Sequence, residues 1–430
     1  MQHSFFRARL RAWPRAAVVA GVLCAAGVAA PGAVSSVVSA ADAPDAPDAP
    51  SGACALQRTD SWLSEGVTPW DPDHVRPVGT VHAKMIFVRF PGHTPANTPQ
   101  QLAAHYLPSV PQFYARASYG KAKLDIVPVA SYVAMPMPAA AYGIHRAEPY
   151  AKMLHYIRDA VAAARRTGVN FRGVQTLYIV ADPDAPGADH DATATTTLAR
   201  RDAITADGTA IRNISMIWEA AKPDRNVVAH ESGHLFGLPD LYVQPPWDDL
   251  RDDWDTKVGD WDLMGDQRAI SPEFLAWEKW KFGWLDPAQV HCVAAAGVSV
   301  HTLTPTERTG GTKLVVVKRS DTDAYAVEVR SRYGNDRRTC AEGVLLYHVR
   351  TDVGSTHGPI RVLSAHPGSP APPNCRNAQE PALADAPFRT GESYTADHGR
   401  FRLQVLGQDA RGNYRIQITA PAPRSSPDGN

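Results

Sequence analysis

The chain has 430 residues, which at roughly 100–200 residues per domain is enough for two domains after processing. With 44% hydrophobic and 20% charged residues, 36 prolines and 10 tryptophans it can bury a large core, which excludes a disordered or collagen-like bulk. Its 44 basic side chains balance 44 acidic ones, so no excess charge argues for nucleic acid as the partner.

Residues 1–40 read as a signal peptide, because Arg7, Arg9, Arg11 and Arg15 precede an apolar run from Ala16 to Ala30 and a Val38-Ser39-Ala40 cleavage site. The run is shorter than the roughly 20 residues of a spanning helix and stops at Pro31-Gly32, so export is expected rather than stable membrane insertion. Cleavage near Ala41 removes four arginines and no acids, leaving a mildly acidic secreted product. Residues 41–53 contain a threefold Asp-Ala-Pro repeat with nothing to bury, a solvated spacer.

A strand at Met85-Ile86-Phe87-Val88 comes first, followed by a capping-box helix start at Thr98-Pro99-Gln100-Gln101. A helix is predicted from about Glu148 to Arg166 with Met153, Ile157 and Val161 on one stripe, and a buried strand at Thr176–Val180. From about Val298 the pattern changes to short alternating strands: Leu314–Lys318, Tyr325–Arg330, Val344–Val349, Phe401–Leu406 and Tyr414–Thr419. In the last of these Tyr414, Ile416 and Ile418 face a core while Arg415, Gln417 and Thr419 face water. Gly354 to Pro387 reads as a long loop and 421–430 as a disordered tail. The predicted organisation is α+β: a domain over 54–292 with a mixed sheet, then a small all-β, sandwich-like domain over 293–420.

Cys24 leaves with the signal, and Cys54, Cys292, Cys340 and Cys375 remain, an even number that suits two disulfides in an oxidising compartment. Three pairings are open. The favoured one joins Cys54 to Cys292, closing the ends of the first domain, and Cys340 to Cys375, pinning the proline-rich loop of the second.

The chemistry lies in Val228-Ala229-His230-Glu231-Ser232-Gly233-His234-Leu235-Phe236-Gly237-Leu238-Pro239-Asp240. On a helix, His230 and His234 project from one face and both reach one zinc ion at about 2.0–2.1 Å. Glu231 lies about 100° further round, placed to serve a water as general base rather than to ligate the ion. A catalytic zinc needs three protein ligands and an open position; Gly237 ends the helix, Pro239 prevents its continuation, and Asp240 is the nearest oxygen donor after the turn. A bare His-Glu-x-x-His can be a chance match on a buried helix; the longer string in an exported chain favours metal.

The string from His230 to Tyr242 resembles the zinc signature of the immune inhibitor A-like metallopeptidases, a metzincin-related family of secreted bacterial proteases. Further matches are Ser118-Tyr119-Gly120-Lys121, Gly259-Asp260-Trp261-Asp262-Leu263-Met264 followed by Pro272, and Lys281-Phe282-Gly283-Trp284-Leu285. Weaker ones run through Glu328-Val329-Arg330 and Gly343 to Val349, so that the likeness spans roughly Val81 to Val349. The resemblance implies a metzincin-like catalytic domain and a zinc endopeptidase acting on protein or peptide substrates. It places His230, His234 and Asp240 on zinc, Glu231 as general base, and Met264 in a methionine turn beneath the metal. Asp240 stands where the best-known metzincins have a third histidine. The rival readings are a zinc amide hydrolase of cell-wall peptides and a binding protein on an inactive protease scaffold.

Several neighbours carry two readings. Asp248, Asp249, Asp252, Asp253, Asp255, Asp260, Asp262 and Asp266 could hold calcium, as could Asp182, Asp184, Asp189, His190 and Asp191, yet solvated turns account for them equally well. Tyr242 is either an oxyanion donor or a packing residue, and Phe274, Trp277, Trp280 and Trp284 form the core stripe of a helix capped at Ser271-Pro272. The strand Ile214–Trp218 is the candidate edge for pairing with an extended substrate.

Overall fold

Strand β1 (Gly79–Arg89) holds Met85, Ile86, Phe87 and Val88 fully buried at the centre of the first sheet. In this computed structural model, residues 52–145, 149–187, 189–190, 192–219, 224–244, 255–267, 273–376, 378 and 380–423 are described. The expected signal peptide, the spacer up to residue 51 and the tail beyond 423 lie outside them.

Helix α1 (Pro99–Tyr106) opens on the expected capping box: Gln101 N–H donates to Thr98 Oγ1 at 3.2 Å, and Thr98 N–H donates to Gln101 Oε1 at 2.7 Å. Helix α2 (Ser109–Ala117), β2 (Ala122–Pro128), β3 (Val133–Ala134) and a single turn α3 (Ala139–Tyr142) follow. Helix α4 (Tyr150–Arg166) buries Leu154, Ile157, Val161 and Ala164, while Met153 of the predicted stripe is only half-buried. Glu148, its predicted start, lies outside the described residues. Next come β4 (Thr176–Ala181), β5 (Ala194–Thr197), the hairpin β6 (Ile204–Ala206) and β7 (Thr209–Ile211), β8 (Asn213–Ile217) and α5 (Arg225–Leu235).

The sheet order is β2-β1-β4-β8-β5, with β3 also on β1. All neighbours are parallel except β5, which runs antiparallel to β8. This overturns the placing of Ile214–Trp218 at the edge. Strand β8 is paired on both sides, by β4 and β5, and among the described residues β5 is the edge strand at that end of the sheet, with β2 at the other. The complete burial of β8, Asn213 and Ser215 included, reflects this interior position, whereas the threonines of β5 are each half-buried.

After the two-stranded β9 (Tyr242–Val243) and β10 (Asp255–Thr256) comes α6 (Ala276–Phe282). It is shorter than the predicted aromatic helix: Phe274 and Trp284 are buried but lie outside it, and Ser271-Pro272 is outside the described residues. Distant side chains satisfy its first N–H groups instead. Ala276 N–H donates to Glu328 Oε2 at 2.6 Å and Trp277 N–H to the Tyr347 hydroxyl at 3.2 Å.

The remaining strands are β11 (Val290–Val293), β12 (Gly297–Leu303), β13 (Leu314–Lys318), β14 (Asp323–Arg330), β15 (Gly343–Arg350), β16 (Ile360–Val362), β17 (Ser393–Ala396), β18 (Phe401–Gln408) and β19 (Tyr414–Ala420). They form one sheet ordered β11-β13-β14-β15-β16 and another ordered β12-β19-β18-β17. In β19 Tyr414, Ile416 and Ile418 are buried and Arg415 is exposed, as its alternation predicts. Strands β13 to β15 do not alternate, because their sheet is covered on both faces. Val315, Val317 and Leu346 join the sandwich core, while Leu314, Val316 and Leu345 join the core of the first sheet and α5. The expected division between 292 and 293 therefore falls inside β11, a strand paired with β13. The segment 354–387 is not a plain loop: it contains β16 and two 3-10 turns, Pro373–Cys375 and Pro381–Leu383.

The molecule is thus a mixed α/β structure with several sheets and few helices, compatible with α+β. Cys54 pairs with Cys292 and Cys340 with Cys375, the favoured pairing. Among the described residues no helix is long and apolar enough to cross a membrane.

Candidate metal centre

Helix α5 begins at Asp224, whose carboxylate accepts from Asn226 N–H at 2.9 Å, and it packs across β5 and β8. One helical turn separates His230 from His234, and their rings meet edge to face at 4.8 Å between centroids. Gly237, with φ of +83°, closes the helix through Gly237 N–H to His234 O at 2.9 Å and Leu238 N–H to Gly233 O at 3.0 Å. That reversal brings Asp240 back over the histidines.

Asp240 Oδ1 lies 3.2 Å from His230 Nε2 and 3.1 Å from His234 Nε2. The far nitrogens are both engaged: His230 Nδ1–H donates to Leu263 O at 2.9 Å and His234 Nδ1–H to Leu238 O at 2.8 Å. This sets the tautomer that leaves both Nε2 atoms facing Asp240. One ligand atom from each residue falls within 4.8 Å of the others, and this is the one such group of His, Cys, Asp or Glu among the described residues. Tetrahedral ligands at 2.0–2.1 Å from zinc are ~3.3 Å apart, so the donor set fits that ion.

The charges also suit a cation. Burial opposes a positive His234, but the Asp240 carboxylate outweighs it, with help from Glu231, and lifts the imidazole to about 9. Burial likewise opposes ionisation of Asp240, yet the two histidines hold its carboxyl well below the usual range. Positive charge is therefore favoured where the three side chains converge.

Asp240 is held by a residue that is distant in sequence. Its N–H donates to Ser355 Oγ at 2.9 Å, and that hydroxyl donates to Asp240 Oδ2 at 3.1 Å. Ser355 is fixed in turn by its own N–H, which donates to Trp62 O at 2.9 Å. Beneath the helix lies Met264, fully buried, whose sulfur would sit 2.5 Å from a Cβ added at Gly233. Asp262 braces this turn by accepting Met264 N–H and Leu275 N–H, both at 2.7 Å, and Leu241 N–H donates to Met264 O at 2.9 Å. Buried Lys281 anchors the other end, donating to Gly237 O at 2.9 Å and Ser64 O at 2.8 Å.

Glu231, 5% exposed, reaches β5 through Oε2, which accepts from Thr195 Oγ1 at 2.6 Å. Glu219, two residues beyond β8, accepts from the Tyr106 hydroxyl at 2.6 Å; burial, with Asp224 and Glu231 adding, pushes its carboxyl up to about 7.

The acids proposed for calcium lie partly outside the described residues. Of those described, Asp182, Asp184, Asp189, His190, Asp260, Asp262 and Asp266 belong to no converging group of three. Asp191, Asp248, Asp249, Asp252, Asp253 and the Asp255 side chain lie outside the described residues. Asp182 Oδ2 lies 3.2 Å from His93 Nε2, and Tyr242 is half-buried on β9. Ser355 and Thr195 escaped sequence reasoning. The run Ala192–Thr197 carries a β-branched signal for a strand, but nothing near Ser355 marks it. No family model matches the chain, and a search of curated proteins finds no match.

Proposed function

We propose that the chain is a secreted, metzincin-like zinc endopeptidase with His230, His234 and Asp240 holding the metal and Glu231 acting as general base. The observation that carries this reading is the convergence of two Nε2 atoms on one carboxylate oxygen, with Glu231 on the next helical position. Bound zinc would supply Lewis-acid polarisation of a peptide carbonyl and of water. The chain's own residues do the rest. Thr195 occupies Oε2 of Glu231, so Oε1 is the oxygen left to take a proton from water and return it to the leaving amine. Among the described residues no strand pairs with the outer edge of β5, which leaves that edge to an extended peptide beside the carboxylate. Two disulfides support an exported, oxidising location.

The test is hydrolysis of casein by residues 41–430, with and without chelator, beside Glu231→Ala. Cleavage that stops on chelation, returns with zinc and is absent in a zinc-loaded Glu231→Ala is the expected result. One bound zinc per chain with no cleavage of any unfolded protein would overturn it.

A further inference from the structure

Glu231 is a long side chain with three rotatable bonds in a nearly closed site, and among the described residues its carboxylate makes one hydrogen bond, to Thr195. Thr195 lies inside β5, in register with Ser215 of β8, on the sheet face that carries Tyr178 and Thr197. That face packs on α5: the Tyr178 hydroxyl lies 2.7 Å from Ser232 Oγ, one residue from Glu231. A β-branched residue has restricted χ1, so the strand delivers the Thr195 hydroxyl in a set direction. The same hydroxyl, whose one proton goes to the nearer carboxylate, lies 3.3 Å from the Glu231 backbone carbonyl oxygen.

We propose that Thr195 is the positioning residue of Glu231, fixing Oε2 so that Oε1 faces the three-residue group, and that this ties the base to the edge strand. The inference rests on the peptidase reading. A flexible carboxylate without this bond would spend most of its time misdirected, and a displacement of about 1 Å can cost on the order of 100-fold in rate. Any peptide that orders β5 by pairing with its outer edge would order the base as well.

The test compares Thr195→Val, which keeps shape and χ1 stiffness but removes the donor, with Thr195→Ser, which keeps the donor. For casein-derived peptides, Thr195→Val should lower kcat by roughly 10- to 100-fold with KM within about twofold and zinc content unchanged, and Thr195→Ser should recover most of the loss. A readout independent of turnover uses the metal-free chain labelled with 13Cδ-glutamate. The Glu231 resonance, assigned by its absence in Glu231→Gln, should move in Thr195→Val and return in Thr195→Ser. An unmoved resonance, or a kcat within twofold of wild type in zinc-loaded Thr195→Val, would overturn the inference and leave the peptidase reading intact. Wild type that binds zinc but cleaves nothing would overturn both.

Discussion

Alanine at Gly233 asks how tightly Met264 is packed against helix α5. In an ordinary helix interior glycine to alanine gains about 1 kcal/mol. Here the new Cβ would lie 2.5 Å from Met264 Sδ, 3.2 Å from its Cε and 3.6 Å from Leu238 Cδ1. Non-bonded heavy atoms settle at about 3.5–4.0 Å, so the sulfur must retreat by about 1 Å. Methionine is adaptable, but Met264 is fully buried and its turn is held by Asp262 and Leu241, so overpacking of about 1–3 kcal/mol is expected. The balance is a net loss of about 0–2 kcal/mol, where the propensity alone would give a gain. Met264→Ala alone opens a cavity and costs about 2–5 kcal/mol. In that background the Gly233→Ala methyl meets no sulfur and recovers its helix gain, so the two changes should couple favourably by on the order of 2 kcal/mol. Urea unfolding of the metal-free chain, read from midpoints at constant slope, measures all four corners of the cycle. A Gly233→Ala chain about 1 kcal/mol more stable than wild type, or an additive cycle, would refute the packing argument.

Other consequences are open to measurement. Ser355→Ala removes the partner of both Asp240 N–H and Oδ2 and should weaken zinc binding by roughly 10- to 100-fold in a competitive chelator titration; an unchanged affinity would show that Asp240 needs no such support. Glu219 has its folded pKa raised to about 7 from 4.5, so the folded state holds the proton that the unfolded state releases, and stability falls as pH rises through that window. Glu219→Gln should therefore gain on the order of 2 kcal/mol above pH 7, allowing for partial exposure, and nothing below about 4.5. Equal pH–stability profiles for the two chains would contradict this. Replacing Cys54 and Cys292 by serine opens a link across 238 residues and should cost about 5 kcal/mol on the chain-entropy model; a melting temperature unchanged under non-reducing conditions would dispute it.

The parts of the fold that could be read directly are those set by short-range geometry. The capping box at Thr98, the left-handed stop at Gly237 and the one-turn spacing of His230 and His234 each depend on a few neighbouring residues. The same holds for the alternation of β19, where one face meets a core and the other meets water. Pattern failed where burial came from both sides. Strands β13 to β15 lost their alternation because two cores claim them, and β8 resembled an edge strand only until β5 was found pairing beyond it.

By itself, the sequence determined the donor chemistry of the candidate site, since a helix of 3.6 residues per turn can align His230 with His234 and a glycine stop can return Asp240 to them. Only the tertiary structure decided what holds those side chains: Ser355 on Asp240, Thr195 on Glu231 and Asp262 beneath Met264. The reason is physical. A helix or a turn is specified by contacts within a few residues, whereas the partner of a buried carboxylate is chosen by which distant strand the whole packing places against it, and that choice leaves no periodic trace along the chain.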